Sequence, residues 1–494
     1  MNKKFFCSII FILSVVLCFA QDQDGKVVLS LRNVLDLAIR QSSSVKYTQN
    51  NNVNYYWRWK NYQTTFRPQL TLSGDLPNYV RAPAAVTQED GSVQFKQIAQ
   101  MNTSANLALS QAIPFSGTYI YAASSLYRNQ DFNNKTTNYS GNPFYFGFTQ
   151  PLFAYNWMKW YKVTEPLIYD EAQKTFIQSI EEIAHEATSR FFRYLQIQTN
   201  HSLAESNLKN SEDNLKIAEV KQKIGDISEN DFSRITLSVL NAKKALDKAR
   251  MDLKNADFEL KTYIGLDQNM NITLQIPVDM ILFYVDVKTA LDEANTNRKE
   301  TPYLQRRLIE ADRDLAQAKH SNGYSVTLSG SFGLSKSSPE FNGVYQAPDD
   351  SRSVRLTLSV PIMDWGRSAS KVKLAESQRE LTLFDVEKNR ANFERQIVVE
   401  VEQFNLLKDQ LVTAKEADKV AESGYRIALK KFQNGEISIT DLNISLSERE
   451  TAKRDYISSI QNYWESYYMI RILTLYNFET STKITYLNPM LGGT

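Results

Sequence analysis

Two periodicities of apolar residues share this chain. From Phe393 through Ile397, Val401, Phe404, Leu407 and Leu411 to Ala414 they recur in steps of three and four, which makes one stripe of a helix or coiled coil. Elsewhere the period is two. In SVRLTLSV, Val354, Leu356, Leu358 and Val360 alternate with Ser353, Arg355, Thr357 and Ser359, and SVTLSGSF from Ser325 and PFYFGFT from Pro143 follow the same rule. Such strands are apolar on one side and small or polar on the other. The helical stretches are long, because 157–223 and 367–433 contain no proline except Pro166. About 65 residues at ~1.5 Å each predict helices of roughly 100 Å. Each returns after a glycine turn on a second helix, ending near Ile264 and Tyr476.

The strands admit two readings. A soluble sandwich would bury the apolar side against a second sheet, whereas a transmembrane barrel turns it outward to lipid and keeps the polar side within. Aromatic residues crowd the strand ends: Tyr55, Tyr56, Trp57 and Trp59 precede the first strand, Tyr155, Trp157, Trp160 and Tyr161 follow Pro151, and Trp365 follows Pro361. Aromatics are favoured where a barrel meets headgroups, and they are also ordinary packing residues. The opening MNKKFFCSIIFILSVVLCFA adds context. Two lysines, an apolar run and Ala20 read as a secretory signal peptide covering 1–20. A lipoprotein signal using Cys18 is the rival, and Leu17 fits poorly before a lipidated cysteine. No later stretch is apolar enough to read as a membrane-spanning helix.

The chain also repeats itself. KQKIGDISENDF and KFQNGEISITDL set Gly225 against Gly435, Ser228 against Ser438 and Asp231 against Asp441, each 210 positions apart, and the offset extends back to Pro151 and Pro361. The N-terminal parts align at 256 instead, pairing Leu35, Asp36 and Ala38 with Leu291, Asp292 and Ala294, and LTLSG with VTLSG. Since 256 minus 210 is 46, the first copy holds 46 extra residues between Gly74 and Pro151. Within them SANLALSQAIPFSGTYIYAASSLYR reads as two further strands around a Pro-Phe-Ser-Gly turn. Self-similarity of this length marks a duplicated structural unit.

In each tip turn the glycine stops the preceding helix and the serine, with an aspartate three residues on, has the spacing of a capping box. The turn is therefore a tight hairpin of two helices, and capping alone accounts for Ser228, Ser438 and the two aspartates. A ring of chains would supply the strands that one chain lacks and bring several tips around an axis. There acidic residues would form a ring that selects what passes, and Ile227 and Ile437 would offer apolar knobs.

Composition removes other function classes. With 42% hydrophobic and 23% charged residues the 494-residue chain is not disordered. Both cysteines, Cys7 and Cys18, fall in the signal, which leaves no disulfide framework and no thiolate site. Removing the signal's two lysines leaves 55 basic residues against 55 acidic ones, so nothing marks a nucleic-acid partner. Of the three histidines, His185 with Glu186 begins like a zincin helix, but Ser189 stands where the second histidine is required. No GxSxG, GxGxxG or Walker loop is present. The Asp and Glu residues lie beside Lys and Arg, as in KKALDKARMDLKNADFELK, which reads as the solvated surface of a coiled coil. An enzyme is not expected.

The signal, LSLRNVLDLAIRQS at the mature start, the two strand-bearing halves and the IGDI and NGEI tips each followed by an aspartate resemble the TolC-like outer membrane efflux protein family over essentially the whole mature chain. That resemblance implies a mixed α/β membrane protein built from two repeats: a homotrimeric β-barrel in the outer membrane of a Gram-negative bacterium, continued by a long periplasmic α-helical barrel. It implies a passive exit duct for a tripartite efflux pump or type I secretion system, with a periplasmic membrane-fusion adaptor, an inner-membrane transporter of the RND or ABC type and outer-membrane lipid as partners, and no cofactor. Adaptor contact would fall on Gly225, Asp226 and Ile227 and on Gly435, Glu436 and Ile437, and the acidic constriction on Asp441 with Asp231 as its gate partner.

Two residues depart from the family's pattern. Ile437 replaces a basic gate residue and Ile444 a second acid, so apolar packing is expected in place of a salt-bridged lock. The family also implies four strands per chain, which the 46 extra residues disturb: either an added hairpin makes six, or one candidate lies outside the wall. The expected organisation is a first-half N-terminal helix at 21–66, strands and loops at 67–152, a helical hairpin at 153–265 and an inter-repeat strap at 266–285. The second half follows with a helix at 286–322, a β-hairpin at 323–362, a helical hairpin at 363–476 and an equatorial tail at 477–494. Against this stand a structural or adhesive periplasmic coiled coil, which has no need of two-faced strands, and a metal-dependent hydrolase, for which no ligand cluster is found.

Overall fold

The structure, a computed structural model, describes residues 27–88, 91–225, 227–277, 280–434 and 436–491. The expected signal peptide, both cysteines, Asp226 and Gly435 lie outside the described residues. In chain order the elements are β1 (Val27–Leu29), α1 (Leu31–Gln41), α2 (Ser43–Thr65), β2 (Gln69–Ser73), β3 (Asn78–Thr87), β4 (Val93–Ile113), β5 (Thr118–Asp131) and β6 (Thr136–Leu152). Then come α3 (Trp157–Lys223), α4 (Glu229–Ile264), β7 (Ile272–Leu274), α5 (Val287–Asn297), α6 (Glu300–Ser321), β8 (Ser325–Ser338) and β9 (Asp349–Ser359). Last are α7 (Arg367–Gln433), α8 (Ile439–Thr474), β10 (Tyr476–Asn477) and β11 (Thr482–Lys483). No described helix is long and apolar enough to cross a membrane.

The duplication is visible in the element bounds. α3 and α7 have 67 residues each and α4 and α8 have 36, every bound shifted by 210. α1 and α5 have 11 residues each, shifted by 256. The stretches expected as single helices at 21–66 and 286–322 are instead each two helices, broken at Ser42 and at Arg298. Both breaking residues are extended, and the Ser42 hydroxyl accepts the Val45 amide 3.1 Å away, satisfying a donor at the new helix start.

Two compact units result. One takes the described residues up to Asn51, Lys174–Arg298 and those from Phe393 on; the other takes Asn52–Gln173 and Lys299–Asn392, so α3 and α7 contribute to both. The first unit holds the main apolar core, with Phe191, Phe192, Phe404, Ile457, Ile460 and Tyr463 fully enclosed. In it α3 packs on α4 through Arg193 and Glu259 (3.3 Å) and on α8 through Gln196 and Gln461 (2.8 Å), while α7 meets α8 where Ser466 donates to Glu400 (2.6 Å). The 266–285 segment is strapped across these helices by its backbone. β7 pairs in parallel with β1, Gln198 bonds both the amide and the carbonyl of Leu274, and Asn405 does the same for Val285.

The second unit holds one sheet, not the two of a sandwich. Its order is β2-β4-β5-β6-β8-β9, with β3 also on β4. Because Gln100–Asn102 of β4 pair with β5 on one side and with β3 on the other, β3 shares the flank occupied by β2. The sheet therefore has six strand positions. β4 and β5 are the two strands that the extra residues of the first half add, set between the first-half strands β2 and β6. In the second half β8 and β9 pair directly.

Below the sheet α3 runs unbroken through Pro166. Proline removes the amide that would bond the Lys162 carbonyl, and the Tyr62 hydroxyl donates to that carbonyl instead (3.3 Å). Glu165 beside it is buried and held by Arg58, whose Nε and Nη2 lie 3.2 and 2.7 Å from the carboxylate.

Candidate conduit wall and helix tips

Cross-strand rows show how the two sides of the sheet divide. One row, Leu70, Leu109, Ala122, Phe146 and Phe332, ends at Arg352, whose guanidinium covers the Phe332 ring at 5.4 Å. The rows on either side of it point the other way. They read Gln69, Ser110, Tyr121, Gly147, Ser331, Ser353 and Thr71, Ala108, Ala123, Tyr145, Gly333, Ser351. A further polar-side row brings Arg355 in line with Ser329, Thr149 and Tyr119. The apolar side stands uncovered, with Leu72, Phe144, Val354, Leu356 and Leu358 all exposed. An apolar sheet face of this extent in water is a liability; facing lipid it is the requirement.

The turn between β4 and β5 is fastened where α3 begins. Asn156 donates to the Pro114 carbonyl (2.8 Å), and its Oδ1 accepts the Met158 amide (3.1 Å), so one side chain caps the helix and holds the turn. Gln150 adds a bond to the Ser116 carbonyl (3.0 Å). No sequence motif announces this joint, because its partners meet only after the hairpin folds.

At the first tip Gly225 takes φ +78°, the left-handed conformation that ends α3. Ser228 begins α4, its hydroxyl accepting the Asp231 amide (3.1 Å) and donating to the Asp231 carboxylate (2.7 Å). The second tip closes more fully. Ser438 and Asp441 exchange bonds in both directions, the Asp441 carboxylate accepting the Ser438 amide (3.0 Å) and hydroxyl (2.7 Å). Those bonds hold the exposed Asp441 carboxyl below its ordinary range.

Glu436 is exposed and bonded by Asn434 (2.9 Å). Ile437 is no free knob. It packs with Phe432 and Ile439 on a small core of Tyr425, Ala428 and Leu442, and Ile227 is half-buried. The apolar surface of the first tip lies instead on Ile217, Val220 and Ile224, exposed at helical spacing just before the turn, a pattern that the period of three and four could have revealed.

Between the hairpins lies a cleft of about 360 Å³ that brings Asp231 and Arg234 beside Thr440 and Asn443. Asn210 donates to the Tyr425 hydroxyl across it (3.1 Å), and Arg449 stacks over the Tyr425 ring at 4.2 Å. Asp231 thus lines a cleft shared with the other hairpin while its carboxylate is held by Ser228, and Asp441 is not among the cleft's lining residues.

Residues 290–458, from within α5 to within α8, match the model of a family described as outer membrane efflux protein. Within this stretch the chain is similar to an outer membrane efflux protein domain. The matched stretch takes in β8, β9 and the second tip. Solved structures agree on the fold. The chain is similar to the CmeC outer membrane channel of Campylobacter jejuni, with TM-score 0.64 and 14% identity over 93% of this chain and 88% of that one. It is similar to the outer membrane protein VceC of Vibrio cholerae, with TM-score 0.62 and 11% identity over 90% and 95%. A membrane protein from Pseudomonas aeruginosa gives 0.63 and 15% over 92% and 91%. No curated protein sequence matches the chain.

Proposed function

We propose that this protein is the outer-membrane exit duct of a tripartite efflux pump or a type I secretion system, a passive conduit formed by three copies. The observation that carries the reading is the two-faced sheet: its exposed apolar side suits lipid, and its side of Ser, Thr, Gly and Tyr suits a wetted pore. Energy for export then comes from an inner-membrane transporter of the RND or ABC type, reached through a periplasmic adaptor. The tips, Gly225 to Ile227 and Gly435 to Ile437, are the adaptor contacts in this reading, and Asp231 and Asp441 narrow the entrance. A structural coiled coil would leave the apolar sheet face without an environment.

Purified protein reconstituted into liposomes tests the proposal through osmotic swelling in small uncharged sugars. Swelling that rises with the amount of folded oligomer supports the duct, and impermeable liposomes holding the folded oligomer overturn it.

A further inference from the structure

The sheet ends in two edges that no described residue covers, β9 on one side and the β2 and β3 line on the other. All of β9 and β2 is exposed, and an unpaired edge cannot stand in lipid, where every open backbone group costs several kcal/mol. A sheet of six positions is too narrow to enclose a channel, since about eight strands barely hold their own side chains. We infer that the edges are each other's partners: β9 of one copy pairs with β2 and β3 of the next, each copy bringing six strand positions to the wall where the family resemblance implies four.

Direction and face both permit this closure. Neighbours alternate antiparallel from β2 to β9, and with an even number of positions the pair formed between copies is antiparallel as well. An odd number would have forced a parallel one. The same side of the sheet is apolar at both edges, through Leu70 and Leu72 on β2 and Val354, Leu356 and Leu358 on β9. The polar side is continued from Thr357 and Ser353 to Gln69 and Thr71. The added strands β4 and β5 sit inside the sheet, so they widen the wall without altering either edge. Because barrel diameter grows roughly linearly with strand number, a wall of three times six, eighteen strands, is about half as wide again as one of twelve.

The strand number rests on the three-copy reading given above; the edge pairing does not. Single cysteines placed at Gln69, Thr71 or Ser73 are combined with one at Ser353, Arg355 or Thr357, in a chain whose Cys7 and Cys18 are replaced. The protein, folded in detergent, is treated with a short thiol cross-linker, its mass is measured natively, and strands are counted by electron cryo-microscopy down the axis. The expected result is a covalent trimer from at least one edge pair, none from either single variant, and eighteen strands. A native trimer in which no edge pair links, or one with twelve strands in its wall, overturns the inference and leaves the three-copy reading standing. A ring of two copies linked through the same edges overturns the trimer and keeps the edge pairing.

Discussion

Arg471 grips Glu181 with two arms of its guanidinium, Nε and Nη2 each 2.7 Å from a carboxylate oxygen, although 290 positions separate them. Glu181 has no exposed surface, and Tyr486 from the C-terminal tail adds a hydroxyl bond at 2.5 Å. Burial alone would push Arg471 down, but the carboxylate's bonds and charge hold it above its ordinary range. Burial raises the Tyr486 hydroxyl, with the charge of Glu181 adding to it. The pair therefore fixes α8 and the tail upon α3.

Removing one partner strands a buried charge, which typically costs about 3–5 kcal/mol, whereas replacing both with apolar residues is often close to neutral. Arg471→Met is expected to lower the urea midpoint of the helical unit strongly, and Glu181→Leu with Arg471→Met to recover most of it. Equal losses in the single and double variants would contradict the account.

The second tip should respond to acid through Asp441. Its carboxyl is depressed below 3.8 by the bonds from Ser438, so the ionised form favours the folded tip. That contribution is complete above the ordinary carboxylate value and is lost as pH falls through the lower folded value. Pepsin cutting near 434–444 should therefore rise as pH drops below about 4, measured relative to Asp441→Asn, which keeps an oxygen cap but cannot titrate.

The two sides of the sheet should tolerate charge unequally. Phe146→Arg puts a guanidinium on the apolar side, at a cost of about 2–4 kcal/mol if the site lies near the bilayer midplane. Ser331→Arg, one residue from Phe146's cross-strand partner Phe332 but on the polar side, should fold into vesicles with a urea midpoint close to wild type.

The joint at α3 should be sensitive to one methyl group. Gly117 has φ +74°, and a Cβ there would stand 3.3 Å from the Asn156 side chain. Gly117→Ala adds backbone strain of roughly 1 kcal/mol or more and pushes on Asn156. Slower appearance of the heat-modifiable folded band in detergent is the expected sign.

The long helices, the hairpin turns and the two-faced strands were legible because each follows from local spacing. Val354 to Val360 declared a strand by period two, and Gly225 with Ser228 and Asp231 declared a stop and a cap. What stayed hidden depends on pairing. Six strand positions follow from β4 lying between β2 and β5, which no single strand encodes. Nothing in the sequence singled out Glu181, because Arg471, its partner, lies in the other repeat. Ile437 read as an exposed knob, since the small core around Tyr425 and Leu442 forms only when the hairpin closes.

In the function proposed above the protein is a duct gated at its tips. Single-channel conductance in planar bilayers tests it most directly, comparing wild type with Asp441→Asn and with Ile227→Gly combined with Ile437→Gly. A tip-gated duct with an acidic entrance gives small cation-selective openings in wild type, loss of that selectivity in Asp441→Asn, and larger openings in the double variant. A folded trimer that inserts yet conducts no current in any of the three would contradict it.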